Sequence, residues 1–463
     1  MLSRRDILAR GGAAAAASLL PLPARAAPQT LTAKVSPGML PGIPVPSALW
    51  TYNDRFPLVL RIPRGQPFSA LLKNALQEHT AIHWHGIRVP HAMDGVPYIT
   101  QDPVEPGESF AYEFTPPDPG TFFFHPHCNT VEALGRGLAG VMIVEDPREA
   151  GLFDAEHVLA LKDWRVKKDG SFEPFLTDAG AAKAGSFGNL RTVNGGPPPT
   201  LYAAPGERLR LRILNIDNTR VPMLAVRGAG CNVIATDGNA VEPFPLETWQ
   251  LGPAMRLDLA LVAPEREGAE VFLEDVWSSR PRLLAKIVTR GAARRGAALA
   301  ALKLPAAELP QPDVQAAVRM EMALLAGHAD AKMQAWAKET GFSVDEICAT
   351  QKVFWSINRQ AWPGMSHEVK PPPLAELKSG RSYVIEFFNG TPHNHPMHLH
   401  GHTFLVMTSN ERRIRPFWAD TVLVAPKERV QIAFVAGEPG DWMLHCHIIE
   451  HQETGMMGYL RVV

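Results

Sequence analysis

Long apolar runs are scarce in this chain of 463 residues: beyond an Ala/Leu-rich run from Gly11 to Leu22, no stretch is apolar enough to span a membrane. Cysteine is scarce as well. Cys128, Cys231, Cys348 and Cys446 are too few for a disulfide framework at this length. Cys231 and Cys348 either pair in an oxidising compartment or stay as buried free thiols, whereas Cys446 sits in a distinctive motif. Net charge is also missing: 46 basic residues face 47 acidic ones, so neither a broad basic face for nucleic acid nor an acidic field for cationic partners is implied. What is present is 46% apolar content, enough for roughly two to four domains with their own cores.

The first 26 residues stand apart. Ser3-Arg4-Arg5-Asp6-Ile7-Leu8 precedes the Ala/Leu run, and Ala24-Arg25-Ala26 closes it. That order reads as a twin-arginine export signal cleaved after Ala26, a route that carries folded proteins. A periplasmic or secreted protein without membrane contact after cleavage is the expectation.

One strand pattern occurs three times. Pro63-Arg64-Gly65 leads an alternating strand ending at Asn74, Pro205-Gly206-Glu207 leads one ending at Asn215, and Ser379-Gly380-Arg381 leads one ending at Asn389. A second element recurs behind Pro106-Gly107-Glu108, Gly252-Pro253 and Ala425-Pro426-Lys427, with apolar residues at every other position. Period-2 patterns behind Gly/Pro turns argue antiparallel strands with one buried face. The expected fold is all-β, three consecutive Greek-key barrels or sandwiches over residues 27–147, 148–293 and 347–463. The last repeat interval is longer, and residues 294–346 turn to Ala, Leu, Met, Lys and Glu, with Val314, Val318, Met322 and Leu325 at helical spacing. A linker followed by a short helix is expected there.

Four short motifs hold ten of the 17 histidines: His83-Trp84-His85, His125-Pro126-His127, His395-Pro396-Met397-His398-Leu399-His400, and His445-Cys446-His447 with His451. On a strand, residues i and i+2 share a face. His83/His85, His125/His127, His398/His400 and His445/His447 therefore offer four converging imidazole pairs, enough for three metal ions in a shared site. Cys446 projects to the opposite face, where His395, His451 and Met456 can meet it. One thiolate, two imidazoles and a weak axial thioether make a blue-copper electron-transfer site. Zinc rarely draws so many imidazoles with so few carboxylates. The segment Pro119 to His125 repeats as Pro439 to His445 and has no counterpart in the middle third, so the first and third domains are expected to share the site while the second holds them apart.

At these motifs the chain resembles the multicopper oxidases, from about Ala27 to Val463. The resemblance implies three cupredoxin-like domains and four coppers per chain. His83 and His398 would bind the type 2 copper. His85, His125, His127, His400, His445 and His447 would hold the type 3 pair, and His395, Cys446, His451 and Met456 the type 1 copper. It further implies that electrons from a phenol, an aromatic amine, or cuprous or manganous ion enter through an exposed type 1 ligand, His451 or His395, and reduce dioxygen to water. The stretch Ala81 to Glu145 and the segments Asn215 to Asn218 and Asp237 to Leu251 look like a bacterial branch linked to manganese and copper resistance. The long Met- and His-rich insert of copper-resistance cuprous oxidases is reduced here to Met320, Met322, His328 and Met333.

Dioxygen reduction consumes protons, so acidic groups are needed. By resemblance, Asp94 occupies an acidic position near the three-copper site, and Asp420 lies near the type 1 histidines. Gln452 stands where related enzymes often have Glu, leaving Glu450 and Glu453 as stand-ins. A copper nitrite reductase needs fewer paired histidines, and a copper-binding or scaffold protein of the same fold is the non-enzymatic alternative. A monomer is compatible with the pattern, which leaves oligomeric state and reductant open.

Overall fold

The computed structural model describes residues 28–294, 298–327, 353–362 and 370–463. The expected export signal, Cys348, His328 and Met333 lie outside them. The described chain forms three units, each of two packed sheets. In the first, a sheet containing Gln29–Gly38 and Phe68–Ala75 faces one ordered Leu58–Pro63, Gly140–Glu145, Gly120–His125, His83–His85. The second pairs a six-stranded with a five-stranded sheet, and so does the third. The third unit's five-stranded sheet holds Gly440–Cys446 and His395–Leu399 side by side.

The recurring closing asparagine has a structural reason. Asn74, Asn215 and Asn389 are all buried. Each side-chain amide donates to two backbone carbonyls and each side-chain oxygen accepts an N–H two residues on, the bonds spanning 2.7–3.2 Å. Such an Asx turn satisfies the backbone where the strand leaves its sheet.

The helix expected around Val318 and Met322 is instead the strand Val318–Ala326, parallel to Ser382–Asn389. Gln29–Gly38 and Ala155–Trp164 make the same parallel pairing with their own repeat strands, so this segment is the opening strand of the third unit, which begins before residue 347. The apolar residues fit both periods, and only the repeat decides between them. Met322 and Leu324 are buried and Met320 packs against the same core. Upstream, Leu302 and Leu304 pack on Ile234, Ala235 and Ala260 of the second unit. Cys231 is a buried thiol with no disulfide partner among the described residues.

The second unit does not hold the others apart. His83 and His398 of the outer units approach to 3.4 Å, while Phe123, Leu214, Ala254 and Ile449 join all three units in one apolar core. On the second unit's strand Arg208–Asn215 and its partner Arg256–Val262 both faces are buried, because Arg210, Arg212 and Asp258 are covered by the first unit. Thr121 Oγ1 donates to Asp258 at 2.9 Å and accepts from Arg212 at 2.8 Å.

Candidate metal centre

Strand pairing brings the histidine motifs together. His83 lies opposite His125 in the first unit, and His398 opposite His445 in the third. The two layers face each other, so eight buried imidazoles share one interior space. Gly95 permits one close approach: its φ is +79°, and a Cβ there would fall 1.7 Å from the Ile82 carbonyl oxygen. That approach seats Asp94 beside His83.

Backbone carbonyls only accept hydrogen bonds, so the ring nitrogen facing one carries the proton. By this test His83 Nδ1 donates to Asp94 O and His398 Nδ1 to Asp420 O, both at 2.8 Å. His125 and His445 Nδ1 donate at 3.0 Å to Pro126 O and Cys446 O. Their Nε2 atoms are then bare lone pairs. Yet His83 and His398 Nε2 are 3.4 Å apart and His400 and His445 Nε2 3.0 Å, while His125 Nε2 lies 3.4 Å from Nε2 of His447, whose Nδ1 has no partner among the described residues. His85 is turned over, with Nε2 3.0 Å from Asp420 Oδ1 and its buried Nδ1 unpartnered among the described residues. Both nitrogens of His127 are also unpartnered there. Lone pairs aimed at one another repel unless a cation lies between them. Burial, then neighbouring histidines, hold His85, His127, His398, His400 and His447 well below their ordinary pKa, so protons are poor substitutes for that cation.

The second cluster lies behind Cys446. Cys446 Sγ is 3.5 Å from His395 Nδ1 and 3.7 Å from His451 Nδ1, and the two Nδ1 atoms are 3.1 Å apart. His451 Nε2 donates to the Lys183 carbonyl at 2.7 Å, which leaves Nδ1 bare; His395 Nε2 meets Thr391 Oγ1 at 2.7 Å. Burial lowers His451 to about 3 and pushes the Cys446 thiol well up. Met456 is buried in the same core, its carbonyl accepting from Cys446 N at 3.0 Å. A soft sulfur and two neutral imidazoles suit copper, and the imidazole-lined space next door fits it equally. Neither His395 nor His451 is exposed, contrary to expectation. A segment of the second unit covers His451.

The acidic residues divide. Asp94 Oδ2 accepts from His400 Nδ1 at 2.8 Å and lies at the eight-histidine space as expected. Asp420 is there too, not beside His395 or His451: it contacts His85 and the buried Arg256. The register explains this, since His398 pairs with Thr421 at the sheet end away from His395. Glu450 is turned toward the second unit. Its buried carboxylate accepts from Thr177 N, Ser186 N and Ser186 Oγ of the second unit. Glu453 is exposed at a crevice with His79, Tyr98, Cys128 and Gln452. The Gln452 amide beside it is buried and unpartnered among the described residues.

Sequence reasoning missed Arg256, Asp237, Trp355 and Lys183. A signal existed for the first: Arg208, Arg210 and Arg212 alternate along one strand opposite Arg256 and Asp258, a charge ladder too dense for a solvent face beside His-bearing strands. The other three act through contacts between distant segments.

Three family models, each described as multicopper oxidase, match residues 39–149, 155–272 and 345–463. The multicopper oxidase MmcO of Mycobacterium tuberculosis is 29% identical over 452 residues, covering 90% of this chain and 83% of that protein. Laccase-2 of Fomitopsis schrenkii is 27% identical, covering 85% and 81%. The crystal structure of a multi-copper oxidase from Pseudomonas thermotolerans superposes with a TM-score of 0.83 at 35% identity, covering 94% of this chain and 99% of that one. The chain belongs to the multicopper oxidase family. It is a copper-dependent oxidoreductase with four coppers, and it acts on phenols or metal ions with dioxygen as acceptor.

Proposed function

We propose that this protein is a laccase-like oxidase whose reductant is a small organic molecule, a phenol or an aromatic amine. His83 and His398 hold the type 2 ion. His127, His400 and His445 hold one type 3 ion, and His85, His125 and His447 the other. His395, Cys446, His451 and Met456 hold the type 1 ion. The observation that carries this reading is the two pairs of bare nitrogens, His83 with His398 at 3.4 Å and His400 with His445 at 3.0 Å, whose outer nitrogens are all tied to acceptors. Bound copper supplies one-electron redox chemistry and the reduction of dioxygen. The protein fixes each imidazole's tautomer and, through the Cys446 backbone, joins the two clusters covalently.

Two features support an organic reductant over cuprous or manganous ion. Met320 and Met322 pack into the third unit's core, and the positive charge of the exposed Lys183 acts on His393, which packs on the same Trp355 ring as His395 and His451. All twelve ligands come from one chain, which supports a monomer. Export by the twin-arginine route to the periplasm or beyond rests on residues 1–26. No helix among the described residues is long and apolar enough to cross a membrane.

Oxygen uptake by the copper-loaded protein, compared with a methoxyphenol, cuprous ion and manganous ion at matched enzyme, tests the reading. Uptake is expected with the phenol. Faster uptake with either metal ion overturns the choice of reductant, and none with any reductant overturns the oxidase.

A further inference from the structure

The covering segment of the second unit, residues 177–188, touches the type 1 cluster at several points. The Lys183 carbonyl takes the outward N–H of His451 at 2.7 Å, and the Ala181 carbonyl takes the indole N–H of Trp355 at 2.5 Å. The Trp355 ring lies against His451 and His395 with centroids 4.6 and 5.3 Å apart. Ala182 and Lys183 are nevertheless exposed, so a single peptide separates solvent from His451.

Within the segment, Thr177 Oγ1 meets Ser186 Oγ at 2.8 Å and Gly185 N donates to the Gly180 carbonyl at 2.9 Å, and Arg165 and Arg220 of the same unit donate to the Phe187 and Gly188 carbonyls. Its helix, Asp178–Ala181, has four residues, capped by Thr177 Oγ1 on Gly180 N. The anchor on the side of the type 1 cluster comes from the third unit: Glu450, adjacent in sequence to His451. One of its oxygens accepts Thr177 N at 3.1 Å and Ser186 Oγ at 2.8 Å, and the other accepts Ser186 N. Both ends of the loop thereby close on one buried carboxylate, and Ala181 to Lys183 are presented between them. The fit is close: a Cβ on Gly180 would fall 2.7 Å from Glu450 Oε1.

We propose that residues 177–188 form the electron-entry port, with the hydrogen bond from His451 to the Lys183 carbonyl as its last link, and that Glu450 is the positioning residue that holds the port closed on His451. The proposal rests on the type 1 assignment above. A phenol docked at the port gives up one electron and releases its hydroxyl proton to water. Four such events supply the electrons, and solvent the protons, that turn one dioxygen into two waters. Glu450 neither gains nor loses a proton in this scheme.

The test uses the full chain with Glu450→Ala and Glu450→Gln, the second keeping one acceptor. In metal-free protein, amide hydrogen exchange over residues 177–188 is expected to speed up in the order wild type, Gln, Ala. In copper-loaded protein, pulsed EPR is expected to show altered remote-nitrogen couplings from His451. Reduction of the blue species by a methoxyphenol slows about tenfold in the Ala variant, as expected when a charge-assisted anchor is lost, and reoxidation of the dithionite-reduced enzyme by dioxygen keeps its rate. A loosened segment with wild-type reduction rate per blue centre overturns the port. Unchanged exchange overturns Glu450 as its anchor. If Glu450→Ala does not fold, Ser186→Ala, which removes one of the three bonds, is read on the same scale. A wild-type protein with neither blue band nor oxygen uptake instead refutes the oxidase reading.

Discussion

Arg256 of the second unit and Asp420 of the third meet side by side in the interior, with Nη1 2.8 Å from Oδ1 and Nη2 bonded to Oδ2. Both are buried, and Asp420 in turn receives the His85 N–H. The unit without copper-binding motifs thus reaches the eight-histidine space through one guanidinium. Asp237 stands beside the pair, its carboxyl pushed up to about 7 by burial against the pull of Arg256. Removing one partner leaves a buried charge uncompensated.

Arg256→Met is accordingly expected to lower the unfolding free energy of the metal-free protein by about 3–5 kcal/mol, measured by denaturant titration. Arg256→Lys keeps the charge but not the two-pronged geometry, and falls between.

Asp420→Asn keeps the shape and loses the charge that fixes His85. Type 1 reduction and the blue band should be unaffected, while dioxygen reduction or trinuclear copper retention drops about 10–100-fold. Stopped-flow reduction and reoxidation, run separately, locate the defect. A defect in reductant oxidation would return Asp420 to the type 1 side.

Met322→Ala opens a cavity in the third unit and should cost about 2–5 kcal/mol. The ratio of phenol to cuprous-ion turnover at a permissive temperature is expected to stay the same. A selective loss with cuprous ion would instead make the methionines part of a metal path.

In the metal-free protein, burial holds His451 at about 3 and His445 at about 4, below the ordinary value near 6.5. The unfolded chain then binds more protons, so stability is full above about pH 6.5 and is lost as pH falls toward 3, at about 1.4 kcal/mol per pH unit for each such histidine. Chemical denaturation of metal-free protein from pH 7 to pH 4 measures the slope. Copper loading should steepen it, because bound copper keeps every ligand nitrogen unprotonated in the folded state while the unfolded chain still takes up protons.

The repeated strand with its closing Asn and the paired histidines were legible because each depends on local spacing. Val318–Ala326 was misread because Val318, Met322 and Leu325 satisfy a helical period as readily as Val318, Met320, Met322 and Leu324 satisfy a strand. The first two repeats, each opening with a strand parallel to its Asn-terminated partner, held the arbiter. Asp420 was placed by resemblance, beside the type 1 histidines, and Glu450 by sequence neighbourhood, near a missing carboxylate. Their roles depend on Arg256 and Ser186, which lie 164 and 264 residues away, and no local pattern carries such a pairing.

The eight-histidine space draws half its imidazoles from residues 83–127 and half from residues 398–447. A chain emerging from the ribosome cannot assemble it until His447 has been made, although the first unit is able to fold earlier. Copper met before that point therefore finds only isolated pairs, and loading becomes a checkpoint passed only by molecules in which the first and third units have already met.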